Sequence, residues 1–201
     1  MWVVKLGGSL ARDAQWLPHW LALLAEHGGG RVIIVPGGGS FADEVRASQR
    51  TWRFDDRIAH NMAVLAMAQT ALLMQGLNAA LQPAVSEQQI RQVLQRQRTA
   101  VWMPLELLRE QPDELTSWDI SADSLALWLA RRLNAERLIV VKSCAIDAAS
   151  DYAQLAECGV VDRGFAGLAR DAPFPITLLH KAELAQVQQW LIDPGPGIGA
   201  H

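Results

Sequence analysis

The chain has 201 residues, half of them hydrophobic, which is enough for one domain with a sizeable core. A formal net charge of -3 and a pI near 5.9 give no electrostatic case for binding nucleic acid or an anionic membrane surface. Any basic site must therefore be local.

Cysteine content and targeting signals favour the cytoplasm. The two cysteines, Cys144 and Cys158, are too few for a disulfide framework and lack the spacing of metal ligands. The first residues pass directly into an apolar strand, without the basic and apolar regions of a signal peptide. No apolar stretch approaches the ~20 residues that span a bilayer. We expect a cytoplasmic protein with reduced thiols and no membrane partner.

The first ten residues predict a buried strand that ends in a glycine pair. Val3 and Val4 are β-branched, and Gly7 and Gly8 let backbone N–H groups approach a ligand closely. Lys5 is unusual here, because a lysine is almost never fully buried without a partner, and it predicts an anion at the end of the strand. Residues 31–40 repeat the plan of apolar strand, glycines and serine.

The rest of the pattern predicts alternating helices and strands. Apolar residues at helical spacing from Trp16 to Leu24 predict a helix ended by Gly28–Gly30, which makes the first 35 residues a βαβ unit with parallel pairing. The later elements are a helix from near Ser40, a surface connection over 50–57, a long helix over 59–81 ended by Pro83, an exposed helix over 88–97, a strand over 100–103, a helix from the Ser121 N-cap to about Leu133, a strand over 138–143, turns and short helices over 144–171, a strand over 175–179, a helix over 181–192 and a loop over 193–199.

This order of elements predicts an α/β fold in a single domain over residues 1–201. We expect a three-layer αβα sandwich with a mainly parallel central sheet. In such sheets ligands bind beyond the carboxyl ends of the strands.

Two common nucleotide motifs do not explain the glycines. No G-x-x-x-x-G-K-[S/T] sequence is present, so the chain has no P-loop. Residues 37–42 match G-x-G-x-x-A, but a dinucleotide site also needs an acidic residue after the next strand, and Asp55 and Asp56 follow no apolar run. An NAD(P) site is therefore disfavoured.

Lys5, Asp123 and Lys142 form a better candidate for catalysis. Two lysines at strand ends can flank a transferring phosphoryl group and neutralise charge in the transition state, while an aspartate in the first turn of a helix holds both amines. In the alternative, both lysines extend to solvent and Asp123 only caps its helix.

Four segments resemble the landmarks of the amino acid kinase family, which includes carbamate, acetylglutamate, aspartate, uridylate and isopentenyl phosphate kinases. They are Val3–Leu10, Val35–Gly39, Ser121–Ala126 and Ile139–Lys142. The resemblance implies the family fold and ATP-dependent phosphoryl transfer, in which Lys5 and Lys142 contact the phosphoryl group and Asp123 orients them. It also implies that ATP arrives as its Mg²⁺ complex, with the metal held chiefly by phosphate oxygens because the sequence shows no separate carboxylate cluster for it, and that the chain forms a homo-oligomer.

The resemblance assigns two halves to the domain. An acceptor-binding part covers about residues 1–135 and a nucleotide-binding part about 136–201. Glycine and polar residues fill these roles: Gly7, Gly8, Ser9 and Lys142 toward the ATP phosphates, Gly37, Gly38 and Gly39 toward the acceptor, and Asp147, Asp151 and Tyr152 in the nucleotide loop. The usual Asp-Gly-Val-Tyr pattern of that loop is absent.

Further segments resemble the members of this family that convert aminomethylfuranmethyl phosphate to its diphosphate in methanofuran-type C1 cofactor synthesis. They are residues 56–67, 117–119 and 159–165. The acceptor implied is a phosphomonoester that carries an amine. Asp119 could pair with the ammonium, and His60 or Arg57 could approach the phosphate beside the Gly37–Gly39 amides, with Asp162 as a weaker candidate.

Other interpretations stay open. His60 is alternatively a helix-surface histidine and Asp119 a solvated loop carboxylate. The acceptor is alternatively a carboxylate or carbamate, which would give an acyl phosphate. A non-catalytic nucleotide-binding relative would explain the altered nucleotide loop.

Overall fold

A computed structural model describes residues 1–193 of the chain, and the predicted loop over 193–199 lies almost wholly outside them. The strands are β1 (Trp2–Leu6), β2 (Val32–Pro36), β3 (Gln82–Ala84), β4 (Ala100–Trp102), β5 (Arg137–Lys142) and β6 (Ile176–His180). The helices are α1 (Trp16–His27), α2 (Gly39–Trp52), α3 (Asp56–Leu77), α4 (Glu87–Gln95), α5 (Ala122–Arg132), α6 (Tyr152–Glu157), α7 (Phe165–Ala169) and α8 (Leu184–Ile192).

Within the described residues the six strands form one sheet in the order β3-β4-β2-β1-β5-β6, and every pairing is parallel. The prediction of an α/β sandwich is confirmed, and the sheet is parallel throughout rather than mainly so. Because all strands run the same way, their carboxyl ends meet at one edge of the sheet.

Two apolar cores cover the two faces of the sheet, which is why the central strands are apolar on both sides. On β1, Trp2, Val4 and Leu6 join the core beneath α1 and α8, and Val3 joins the core beneath α5. Side chains alternate along a strand, so Lys5 lies on the same face as Val3. The lysine is thereby directed toward α5.

The boundaries around α3 differ from the prediction. The connection expected over 50–57 is only Arg53–Asp55, because Arg53 adopts a left-handed conformation (φ 56°) and Asp55 caps α3 by accepting a hydrogen bond from Ile58 N at 2.8 Å. The helix ends at Leu77 rather than Leu81. Pro83 does not end it but lies in β3, a strand at the sheet edge, where the missing N–H is tolerated.

No helix among residues 1–193 combines the length and the apolar character that crossing a membrane requires.

Candidate active site

A cavity of about 260 Å³ opens at the carboxyl edge of the sheet, beyond β1, β2 and β5. Lys5, Asp123 and Lys142 lie in its wall, together with both glycine loops and residues from α2, α3 and α5. This is the position that the parallel topology predicts for a ligand.

The three charged residues predicted from the sequence meet in this cavity. Lys5 Nζ lies 2.6 Å from Asp123 Oδ1, and Lys142 Nζ lies 2.6 Å from Asp123 Oδ2. The neighbouring strands set this geometry, because Lys5 pairs with Val140 and Lys142 is therefore two residues further along β5. We call these residues the Lys–Asp–Lys centre.

Burial makes the electrostatics of the centre strong. The side chains of Lys5 and Asp123 are each 5% exposed and that of Lys142 is 12% exposed. Burial alone would raise the pKa of Asp123, but the two ammonium groups outweigh it and hold the pKa below the ordinary carboxyl value. Burial and the charge of Lys5 lower the pKa of Lys142, although Asp123 opposes this. Two cations and one anion leave the centre suited to binding an anion.

Asp123 reaches the lysines from the first turn of α5. Ser121 caps this helix in an extended conformation, and its hydroxyl oxygen lies 3.5 Å from Asp123 N. A carboxylate in the first turn is also favoured by the helix dipole. The predicted helix start is confirmed.

The two glycine loops lie in backbone contact and form the floor beside the centre. A Cβ on Gly37 would lie 2.3 Å from Gly8 N, and one on Gly8 would lie 2.8 Å from Gly39 N, so neither position has room for a side chain. A Cβ on Gly7 would lie 3.6 Å from Lys5 Nζ, which places that backbone next to the ammonium. All these glycines line the cavity, as does Ser9. Loops without side chains next to buried cations fit a phosphate group.

His60 and Asp119 lie differently from their predicted roles. His60 lines the cavity but is buried rather than on the helix surface, and its Nε2 lies 2.9 Å from Leu107 O. The Asp119 carboxylate is 59% exposed and 3.7 Å from Arg163 Nη1, and its neighbours Trp118 and Ile120 line the cavity instead. Arg57 pairs with Asp55 at 3.9 Å and does not line the cavity.

Asp162 does not line the cavity, and its weaker assignment to the acceptor stays a prediction. Its carboxylate accepts hydrogen bonds from Ser121 and Ser124 at the start of α5.

The predicted nucleotide-loop residues lie outside the cavity wall. Asp151 caps α6 in a capping box with Gln154, and Asp147 accepts hydrogen bonds from Ala149 and Ser150. The Tyr152 ring packs edge-on against Phe165, and burial raises its pKa. Their assignment to nucleotide binding stays a prediction.

The sequence did not reveal a charged cluster at the cavity mouth. Asp43 accepts a hydrogen bond from Arg12 Nη1 at 2.8 Å and lies 3.4 Å from Arg46 Nη1, and Arg46 lies over the ring of Trp118 at 4.6 Å. Trp118 Nε1 in turn donates to Gln49 Oε1 at 2.5 Å. The one signal in the sequence was the three-residue spacing of Asp43 and Arg46, which puts both on one face of α2, the helix that follows the glycine loop.

An all-parallel sheet with a cationic, glycine-lined cavity at its carboxyl edge defines an α/β protein that is suited to binding phosphate groups. The chain belongs to the amino acid kinase family, whose sequence profile matches residues 1–145.

Solved structures share the fold of this chain at low identity. The uridylate kinase of Archaeoglobus fulgidus superposes with a TM-score of 0.67 at 17% identity, over 95% of both chains. The UMP kinase of Bacillus anthracis gives 0.69 at 16% identity, over 95% of this chain and 91% of that one. The aspartate kinase of Synechocystis gives 0.63 at 14% identity, over 90% of this chain and 38% of that one.

A curated protein from an archaeon is similar in sequence. It is the [5-(aminomethyl)furan-3-yl]methyl phosphate kinase of Methanocaldococcus jannaschii, 26% identical over 140 residues. The match covers 70% of this chain and 64% of the length of that protein.

Proposed function

We propose that the protein is a kinase that transfers the γ-phosphoryl group of ATP to an oxygen of a small phosphomonoester. The Lys–Asp–Lys centre is the observation that carries this proposal. Two buried ammonium groups held by one carboxylate match the charge that develops on a phosphoryl group during transfer.

The side chains of the cavity also favour an acceptor that is already an anion. Asp123 contacts both lysines, Asp43 pairs with two arginines, and His60 Nε2 contacts a carbonyl oxygen. These three groups are therefore occupied, and Asp56, the remaining carboxylate of the cavity, already accepts a hydrogen bond from Gln49 Nε2, whereas a hydroxyl acceptor needs an unoccupied base for its proton. A phosphate oxygen needs none at neutral pH.

Transfer then requires placement and charge neutralisation alone. The acceptor oxygen forms a bond to the γ-phosphorus while the bond from that phosphorus to the leaving oxygen breaks, and ADP leaves with the electron pair. We place the ATP phosphates beside Gly7, Gly8 and Ser9 and the acceptor phosphate beside the start of α2. Lys5 and Lys142 line the same cavity as both of these places.

A Mg²⁺ ion would neutralise further phosphate charge when bound. Among residues 1–193 no cluster of three or more His, Cys, Asp or Glu side chains could hold a metal ion. Phosphate oxygens would therefore be its main ligands, as is common for Mg²⁺ in kinases.

The acceptor that we propose is aminomethylfuranmethyl phosphate, which would become its diphosphate. The similarity to the Methanocaldococcus jannaschii enzyme supports this choice. Of the cavity carboxylates, Asp56 pairs with no cation among the described residues and accepts a hydrogen bond from Gln49 Nε2 at 2.8 Å. We therefore assign the ammonium of the acceptor to Asp56, because the Asp119 carboxylate does not line the cavity.

The test is transfer of labelled γ-phosphate to this acceptor. We expect Lys5→Ala and Lys142→Ala each to lower turnover by roughly 10³-fold, about 4 kcal/mol. The chain offers a matched control in its third lysine, Lys181, whose ammonium pairs with Asp13 at 2.5 Å and does not line the cavity. A loss below tenfold in Lys5→Ala or Lys142→Ala would remove the substituted lysine from the mechanism. An equal loss in Lys181→Ala would show that the effect comes from the net charge of the protein and not from the cavity.

A carboxylate or carbamate acceptor also needs no base and is the second candidate. Hydroxylamine separates the two, because it traps an acyl phosphate and does not react with a diphosphate. ATP binding without transfer to any acceptor would instead favour the non-catalytic relative.

The expected homo-oligomer stays a prediction. The outer face of α3 exposes Leu65, Leu72, Leu73 and Leu77 by 40–52%. Sedimentation of the wild type and of Leu72→Glu would show whether this face is covered in solution.

A further inference from the structure

Asp162 makes an unusual set of contacts with the start of α5. Its Oδ2 accepts hydrogen bonds from Ser121 N at 2.8 Å, Ser121 Oγ at 2.6 Å and Ser124 N at 3.0 Å, and its Oδ1 accepts one from Ser124 Oγ. One side chain from a segment 38 to 41 residues away thus occupies four donors of a single helical turn.

These contacts supply what a helix start lacks. The first N–H groups of a helix have no acceptor within it, and a carboxylate there is also stabilised by the helix dipole. Among residues 1–193 no cation lies within ion-pair distance of Asp162, so its hydrogen bonds to α5 are its main interactions. Ser124 is fully buried, which makes this contact costly to replace with water.

The segment around Asp162 is anchored independently of its carboxylate. Val161 and Phe165 are buried in the core beneath α5. Gly164 N donates to Asp119 O at 2.8 Å, and a Cβ on Gly164 would lie 2.3 Å from Ile120 Cδ1. Asp162 is therefore held by a fixed segment, and its hydrogen bonds can fix the position of the first turn of α5.

The turn in question carries Asp123, which lies between the two serines that Asp162 contacts. We propose that Asp162 is a positioning residue for phosphoryl transfer, which fixes the first turn of α5 and through Asp123 the places of Lys5 and Lys142. This inference rests on the proposed kinase function. It also gives the segment after residue 145, beyond the match to the family profile, a part in the reaction.

Two substitutions separate geometry from charge. Asp162→Ala removes all four acceptor contacts. Asp162→Asn removes the charge but keeps a carbonyl oxygen for the donors on Oδ2 and offers an N–H to Ser124 Oγ, so it should rescue the positioning. Ser124→Ala removes one contact and should give an intermediate effect. Ser86→Ala is the matched control, because Ser86 caps α4 through Gln89 N at 3.2 Å, away from the cavity.

Nucleotide binding gives a readout that needs no acceptor. Calorimetry compares the dissociation constants of ADP and of a non-hydrolysable ATP analogue, whose ratio reports the contacts of the γ-phosphate. We expect Asp162→Ala to bind ADP normally but to lose about tenfold of its preference for the analogue, with kcat lowered about 10²-fold, because small displacements at a reacting centre are costly. Asp162→Asn and Ser86→Ala should keep both values within about threefold of wild type.

Several outcomes would overturn the inference. They are an unchanged preference in Asp162→Ala, a defect in Asp162→Asn as large as in Asp162→Ala, or an equal defect in Ser86→Ala. If Asp162→Ala does not fold, an unchanged preference of Ser124→Ala for the ATP analogue over ADP would also overturn the inference. A wild type that binds neither nucleotide would instead overturn the proposed function, whereas a wild type that prefers the analogue but transfers nothing would leave the binding comparison intact.

Discussion

Replacing Asp123 with asparagine tests whether one carboxylate stabilises two buried ammonium groups. Asparagine keeps the shape but accepts from only one lysine and directs an N–H at the other. Breaking a buried ion pair by removing one partner costs about 3–5 kcal/mol, and here one of the two ammonium groups loses its acceptor as well as its counter-charge.

Deprotonation of a lysine limits this cost. Releasing a proton from a lysine with an ordinary pKa of 10.5 costs 1.36 kcal/mol per pH unit below that value, about 5 kcal/mol at pH 7 and about 2 kcal/mol at pH 9. We therefore expect Asp123→Asn to lose about 3–5 kcal/mol of unfolding free energy at pH 7 and no more than about 2 kcal/mol at pH 9.

Urea denaturation followed by tryptophan fluorescence at both pH values measures this. The matched control is Asp43→Asn, which also leaves two cations without a carboxylate, but at side chains 43–56% exposed. Exposed pairs contribute about 0–1 kcal/mol, so the control should change little at either pH. A loss below about 1 kcal/mol in Asp123→Asn at pH 7, or a loss that is the same at pH 9, would refute the electrostatic account of the centre.

Further predictions concern pH and the glycine loops. Because the pKa of Lys142 is lowered, kcat/KM should fall as pH rises through a value below 10.5. Lys142→Arg should move this alkaline fall to higher pH, and a pH–rate profile of both proteins would show it. The pKa of Asp123 is lowered from 3.8, so its contribution to stability is present above pH 3.8 and is lost only as pH falls through the lower folded value, which acid unfolding of wild type measures. Gly37→Ala should separate the two glycine loops and weaken nucleotide binding, which calorimetry would measure. Gly76→Ala, where a Cβ meets nothing within 4 Å, should raise the unfolding free energy by up to about 1 kcal/mol, which thermal melts would check.

The Lys–Asp–Lys centre could be predicted because each member has a clear local signal. A lysine inside an apolar strand needs an anion, and an aspartate just after a serine cap belongs to the first turn of a helix. Parallel strands bring such positions to one edge, so local patterns were enough to place three residues that are up to 137 positions apart in the chain.

The contacts that were missed depend on the paths of loops. Asp162 comes after a stretch without regular periodicity, and nothing local shows that its carboxylate reaches Ser121. The same holds for Asp119, which comes next to cavity residues but extends its carboxylate toward Arg163. β3 was missed because three residues are too few for a periodic signal, and Pro83 favours a turn unless the strand lies at an edge.

The match to the family profile ends at residue 145, soon after Lys142, yet the geometry of the centre depends on residues further along the chain. β6 pairs with β5 through the register of Lys142 with His180, and Lys181 N donates to Lys142 O at 2.8 Å, so the strand that carries Lys142 is held in place by residues beyond the match. Asp162 fixes the turn that carries Asp123 from the same part of the chain. Lys5 is the one member of the centre whose strand lies between two strands of the matched segment. The charged residues can therefore be recognised from the matched segment, whereas β6 and Asp162, which contact the strand that carries Lys142 and the turn that carries Asp123, come after it.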